Sequence, residues 1–212
     1  MIEAVIWDFG GVFTSSPFEA FARYERERGL PENLIRQINA DNHLDNAWAR
    51  FERAETDLET FDREFAAEAR ARGHDVPGRD IIPLLAGDFR PEMIEALRRI
   101  REKGLKTGCI TNNVPSMQAS GADTPANLYR REIMELFDEL IESSKIGLRK
   151  PDPKIYALMC EALSVEPGAC VYLDDLGVNL KPARAMGMTT IKVASGPQAI
   201  AELEQATGLK LG

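Results

Sequence analysis

Cysteine and histidine are scarce in this sequence, and its basic residues never gather into a patch. Cys109, Cys160 and Cys170 are odd in number, lie inside apolar runs and show neither a CxxC pair nor a Cys/His metal spacing. That argues against a disulfide framework or a zinc site and for buried reduced thiols. A net charge of −8 with no segregated basic stretch makes a nucleic-acid backbone a poor partner. The opening MIEAVIWDF has no basic leader and reaches a charge within a few residues, so neither a signal peptide nor a membrane span is expected and the cytoplasm is the default compartment. No internal repeat or low-complexity linker appears. What is left, 212 residues with 44% hydrophobic and 28% charged, is ordinary soluble composition for one domain, or one domain with a sizeable insertion.

Short apolar runs rich in β-branched residues recur at AVIW (4–7), KTGCI (106–110), FDELI (137–141), ACVYL (169–173) and TTIKVA (189–194). Helical patterns separate the later ones, at 91–104, 153–163 and 178–187, and GPQAIAELEQATGL reads as a final amphipathic helix packed on a sheet. Strand and helix alternation with continuous strand apolarity predicts an α/β fold: a Rossmann-like parallel sheet with helices on both faces. Between the first two strands the pattern is helix after helix, from Pro17 to about Leu85. Its longest piece should be capped near Thr56, with Asp57 and Glu59 in the first turn, and closed by Gly73. The expected organisation is therefore a core of 1–15 and 86–212 carrying a helical cap, 16–85, inserted after the first strand. Trp48, Phe51 and Phe61 are expected in the core of that cap.

In an open parallel sheet ligands sit at the carboxyl ends of the strands. Asp8 follows the first strand, Thr111, Asn112 and Asn113 the second, Lys150 the third, and Asp174 with Asp175 the fourth. Each has a plain structural reading. TNN can be a turn, KPDPK the extended lead-in to a helix begun by Pro153, and the DD pair a cap for the next helix. Asp8 resists such a reading, because burying an unpaired carboxylate is costly. A carboxylate placed there can act as a nucleophile on a phosphoryl or alkyl-halide centre, giving an ester that water then hydrolyses. With a phosphate, anion meets anion, at roughly 4 kcal/mol per unit-charge pair at 4 Å in an effective dielectric of about 20. Asp8, one member of the acidic pair and a backbone oxygen would offer Mg²⁺ the oxygen ligands it prefers.

Taken in order, DFGGV, ITNN, RKPDPKIY and LDDLGVN match the four motifs of the haloacid dehalogenase-like hydrolase superfamily. The stretch from GLRKPDPKIY through YLDDLGVNLKPARAMGMTTIKV to AELEQATGLKL resembles the amino-terminal phosphatase domain of soluble epoxide hydrolases and its bacterial relatives. The resemblance implies a cap after the first strand and assigns Asp8 as nucleophile and Lys150 as catalytic cation. Thr111, Asn112 and the backbone at Gly11 would bind the phosphoryl oxygens. Mg²⁺ would be held by Asp8, the Gly10 carbonyl and the acidic pair, with Asp175 as direct ligand and Asp174 bonding Lys150 or a metal-bound water.

One position departs from the family pattern. Phosphatases of this kind usually carry a second aspartate two residues after the nucleophile as leaving-group acid, and this chain has Gly10. Three readings stay open: a Mg²⁺-dependent phosphatase of small phosphorylated molecules, weak on alkyl phosphates; a metal-independent 2-haloacid dehalogenase; or a catalytically weak phosphate-binding or regulatory module. His43, in ADNHLDNAW (40–48), could supply an acid, and that segment with FTSSPF (13–18) should flank the cleft mouth; His74 is a weaker candidate. Monomer and homodimer are equally compatible with the sequence.

Overall fold

The structure, a computed structural model, describes residues 1–115 and 124–211. Five strands form one parallel sheet: β1 Ala4–Trp7, β2 Lys106–Thr111, β3 Glu139–Glu142, β4 Cys170–Asp174 and β5 Thr189–Lys192, in the order β3-β2-β1-β4-β5. Side-chain alternation sends Val5 and Trp7 to one face and Ala4 and Ile6 to the other, and both faces are covered, which is why these strands read as unbroken apolar runs. Helices α6 (Pro91–Glu102) and α11 (Gly196–Thr207) cover the first face, through Met93, Leu97, Ala199 and Leu203. Helices α9 (Pro153–Leu163) and α10 (Gly177–Ala185) cover the second, through Ile155, Met159, Leu180 and Ala183. Helix α7 (Pro125–Met134) and the short α8 (Ser143–Ile146) flank β3.

Between β1 and α6 lie α1 (Pro17–Glu27), α2 (Leu34–Ala40), α3 (Ala47–Glu52), α4 (Leu58–Ala71), the short α5 (Gly78–Ile81) and a 3₁₀ turn, Ile82–Leu85. They share a core of their own, in which Phe51 stacks on Phe61 at 4.6 Å and Trp48 meets Phe61 edge-on at 5.6 Å. The chain enters and leaves this helical insert side by side. The Ser15 N–H donates to the Asp88 carbonyl, the Arg90 N–H to the Phe13 carbonyl, and Thr14 and Phe89 form an antiparallel bridge. Gly87 is confined to glycine by this crossing, since a Cβ there would lie 2.6 Å from the Ser15 carbonyl oxygen.

Two local expectations shift. The N-cap of α4 is Asp57, whose carboxylate accepts the Thr60 N–H at 2.8 Å, while the Thr56 hydroxyl is buried and finds no partner among the described residues. Gly73, with φ +85°, ends that helix as expected. The third strand begins at Glu139 rather than Phe137, because Asp138 accepts the Thr107 N–H and Phe137 turns inward onto Phe13. All three cysteines are free and buried, and among the described residues no helix is long and apolar enough to cross a membrane.

Candidate active site

The sheet order explains how residues far apart in sequence meet. Strand β1 lies between β2 and β4, with Trp7 level with both Cys109 and Leu173. The Asp8 N–H extends the ladder to the Leu173 carbonyl at 2.8 Å, which puts its side chain beside the end of β4. From there Lys150 Nζ reaches Asp8 Oδ1 and Asp174 Oδ2, both at 2.8 Å, with the lysine 1% exposed.

Asp174 is saturated. Its carboxylate also accepts the Tyr172 hydroxyl at 2.5 Å, the Leu176 N–H at 2.8 Å and the Asn179 amide at 3.1 Å on each oxygen. Asp175 is only half-buried and, among the described residues, takes one side-chain hydrogen bond, from the Ser16 hydroxyl at 3.2 Å. One oxygen from each of Asp8, Asp174 and Asp175 can be chosen so that all lie within 4.8 Å of one another.

Burial pushes the Asp8 carboxyl well above the usual carboxylate range; Lys150 opposes this, and Asp174 and Asp175 reinforce it. Asp175 is pushed up to about 6, first by burial and then by Asp174. For Lys150 burial favours the neutral amine, but Asp174 and Asp8 together more than reverse it, so the ammonium is held above its ordinary range. With all three ionised, the carboxylates would leave two negative charges uncompensated by the single ammonium in a site largely closed to water. An all-oxygen donor set with a double charge deficit fits a hard divalent cation such as Mg²⁺. Asp8 and Asp175 keep acceptor capacity for it; Asp174, fully engaged, orients Lys150 instead.

Glycines shape the turn after β1. Gly11 has φ +73°, and a Cβ there would lie 2.2 Å from Asp175 Oδ2. Its N–H points to the Thr14 hydroxyl at 3.4 Å and its carbonyl accepts from Arg90 at 3.0 Å. Gly11 thus lets two loops touch. Gly10 differs: a Cβ added there meets nothing within 4 Å and its φ lies outside the left-handed region, so the backbone would admit a side chain.

Thr111 ends β2, is buried and lines the cleft. The Asn112 side chain is turned onto Lys150, accepting its N–H at 2.8 Å and donating to its carbonyl at 3.0 Å. Asn113 ties Glu142 and Ser144 together in the same way. TNN is thus both a turn and a brace for the lysine loop, while Asp152 caps α9 through the Lys154 N–H.

Above these groups is a cavity of about 980 Å³ whose lining runs from Asp8, Thr111, Lys150 and Asp175 to the insert residues Phe18 and Trp48. Thr14, Pro17 and Phe18 of one expected mouth segment and Ala40, His43 and Trp48 of the other all face it. His43 is exposed at that lining, and its carbonyl accepts from Arg149 at 2.7 Å; His74, after α4, is not part of it.

The family model of the haloacid dehalogenase-like hydrolases matches residues 2–187. The chain belongs to this family. It is 32% identical to Phosphatase MT3486 of Mycobacterium tuberculosis over 88% of the chain and 85% of that protein. It is 30% identical to Bifunctional epoxide hydrolase 2 of Sus scrofa over 99% of the chain, but spans only 40% of that longer relative. Among solved structures, a haloacid dehalogenase family enzyme of Bacteroides thetaiotaomicron, in complex with magnesium and inorganic phosphate, shares the fold with a TM-score of 0.62 at 19% identity, over 92% of this chain and 96% of the other.

Sequence reasoning passed over several residues that complete this hydrolase site. Tyr172 and Asn179 were visible within ACVYL and LDDLGVN, and inward alternation from Asp174 identifies Tyr172 as its same-face neighbour. Ser16 and Glu52 carry no such signal, since both reach the site only through the fold. Glu52, buried at the end of α3, accepts from Arg149 at 2.6 Å, from the Trp48 indole at 2.8 Å and from Asn112 at 3.4 Å.

Proposed function

We propose that the protein is a Mg²⁺-dependent phosphatase acting on small phosphate monoesters through an aspartyl-phosphate on Asp8. The observation that carries this reading is the excess of negative charge around Asp8: three clustered carboxylates, Asp8, Asp174 and Asp175, face Lys150 alone, and a divalent cation would offset the remainder. Identity with phosphatase-named relatives supports the same choice. Bound between Asp8, Asp175 and the Gly10 carbonyl, the cation would lower the charge barrier to a phosphate dianion.

The chain's own residues supply the rest. A carboxylate oxygen of Asp8 attacks phosphorus, the bond to the leaving oxygen breaks, and that oxygen departs with the electron pair. Lys150 holds the nucleophile in place and offsets charge on the transferring group, and Thr111 takes a phosphoryl oxygen. Asn112, whose amide is spent on Lys150, positions the lysine. Water then attacks the acyl phosphate, releasing phosphate and restoring the carboxylate. The insert is a cap that excludes bulk water during these steps.

Nothing at position 10 protonates the leaving oxygen. Rates with Mg²⁺ are therefore expected to climb steeply as leaving-group pKa falls, from alkyl to aryl to acyl phosphates, and Asp8→Asn should abolish all of them. Gly10→Asp, for which there is room, should raise alkyl phosphate turnover by about a hundredfold. A flat leaving-group series would remove the argument from Gly10. Halide release from 2-chloropropionate without a divalent ion would replace the phosphatase with a dehalogenase.

A further inference from the structure

Of the lysines and arginines facing the cavity, Lys150 is paired with Asp8 and Asp174, Arg149 with Glu52 and Lys145 with Glu142, while Arg36 is exposed to solvent and lies over the Phe18 ring at 4.8 Å. Arg130, on α7, differs from all of these. It faces the same cavity, is half-buried, and makes no hydrogen bond or ion pair among the described residues. Its guanidinium lies over the Phe9 ring at 4.9 Å and within 6.0 Å of the Phe89 ring. Phe9 is the residue after the nucleophile, and its N–H donates to Asp8 Oδ1 at 2.6 Å.

Stacking uses the face of a guanidinium and leaves its edge, the N–H fork, available. A charge withdrawn from water without a partner is costly, and burial pulls the Arg130 guanidinium below its ordinary value. A cation placed at that cost, stacked on the residue that follows the reacting carboxylate and facing the same cavity, is complementary to an anion delivered by the ligand. The phosphate under attack has Lys150 and Thr111 to meet it; Arg130 is left for a different group.

We propose that Arg130 is a specificity-determining residue that receives a second anionic group of the substrate, so that the substrate class is a short phosphate monoester carrying a further negative charge. The inference rests on the phosphatase reading of Asp8. The second anion is held by the guanidinium fork and orients the ester toward the nucleophile.

The test compares molecules that differ in the distal group: glycerol 3-phosphate, with a neutral end, against 3-phosphoglycerate and glycerol 1,3-bisphosphate. For the native protein with Mg²⁺, kcat/KM for the better anionic probe should exceed that for glycerol 3-phosphate about tenfold or more, the size of a charge-assisted hydrogen bond. In Arg130→Met, which keeps the length and the packing on Phe9, that ratio should fall toward one, and Arg130→Lys should keep part of it. A ratio near one in the native protein, or one unchanged in Arg130→Met, overturns the proposal. Calorimetric binding to Asp8→Asn separates the two readings. If neither these probes nor acetyl phosphate is hydrolysed but anionic probes bind preferentially and lose that preference in Asp8→Asn/Arg130→Met, the phosphatase reading falls and the anion site stands. Absence of any preference in binding removes the site as well.

Discussion

On the sheet side of the cleft, Lys150, Asp8 and Asp174 are almost wholly buried and hold one another by charge; on the insert side, Trp48, Phe51, Phe61 and Phe65 pack ring against ring, and Glu52 reaches across. The first wall is electrostatically tense. Its carboxylates are crowded, its cation is single, and each hydrogen bond serves to keep a charge where water would not leave it. The second wall gains most of its stability from apolar area, with the buried carboxylates of Glu25 and Asp62 satisfied by backbone N–H groups and by Arg79 away from the cleft. Reactivity therefore belongs to the wall that is expensive to build, and shape to the wall that is cheap. The ion pair of Glu52 with Arg149, 9% and 17% exposed at the side chain, is where the two meet.

The sharpest way to break this contrast is Lys150→Met. It leaves Asp8 and Asp174 facing each other without a counter-charge, and the loss in unfolding free energy should be about 3–5 kcal/mol at neutral pH by chemical denaturation. The sign with pH follows from the raised Asp8 carboxyl: stability conferred by its protonation is present in acid and lost as pH rises, so the deficit should shrink as pH falls. Adding Asp174→Asn should restore much of it. A cost no larger than that of a surface pair would mean that the sheet-side wall is not under electrostatic load.

Glu52→Gln should cost less, about 1–3 kcal/mol, because Arg149 retains partial access to water and the amide still accepts from the indole. Its readout is specific: Trp48 donates to Glu52, and the other tryptophan, Trp7, lies in the sheet, so the emission of a Trp7→Phe background should shift. Hydrogen exchange should rise in α3 with little change in β1 and β4. Uniform exchange across both walls would show that the insert and the core do not separate at this joint.

Asp175→Asn should have the smallest effect and the opposite sign. With the native carboxyl pushed up to about 6 against an unfolded value near 4, the folded state holds the proton more tightly. Protein freed of divalent ions should thus lose stability as pH climbs from about 4 to 6, and the asparagine variant should be more stable at pH 7 by on the order of 1–2 kcal/mol. Added Mg²⁺ should stabilise the native protein and leave the variant nearly unmoved. A native protein indifferent to Mg²⁺ in the melt would remove the metal assignment.

The strands were legible because buried parallel strands announce themselves as short β-branched runs, whereas their order, β3-β2-β1-β4-β5, and register came only with the fold. Asp8 was legible because a charged residue closing an apolar run has few structural uses, whereas Lys150 and the acidic pair stood out only through their match to the family motifs. Asn112 was half-legible: its motif points to phosphate, but its amide is turned onto the lysine backbone. Glu52 and Arg130 were opaque. A glutamate ending a helix and an arginine within one look like solvated charges until the fold removes the water around the first and the acceptors around the second.

The paired crossing of Ser15 with Asp88 gives the molecule a seam. Because the departing and returning chains are hydrogen-bonded neighbours, everything between them hangs from one narrow neck, and the strand order beneath is indifferent to what is suspended there. A tight turn spliced at this neck would take away the Ser16 hydroxyl from Asp175 and the Glu52 partner of Arg149 together with the insert, while Asp8, Lys150, Asp174 and Arg130 would stay with the sheet.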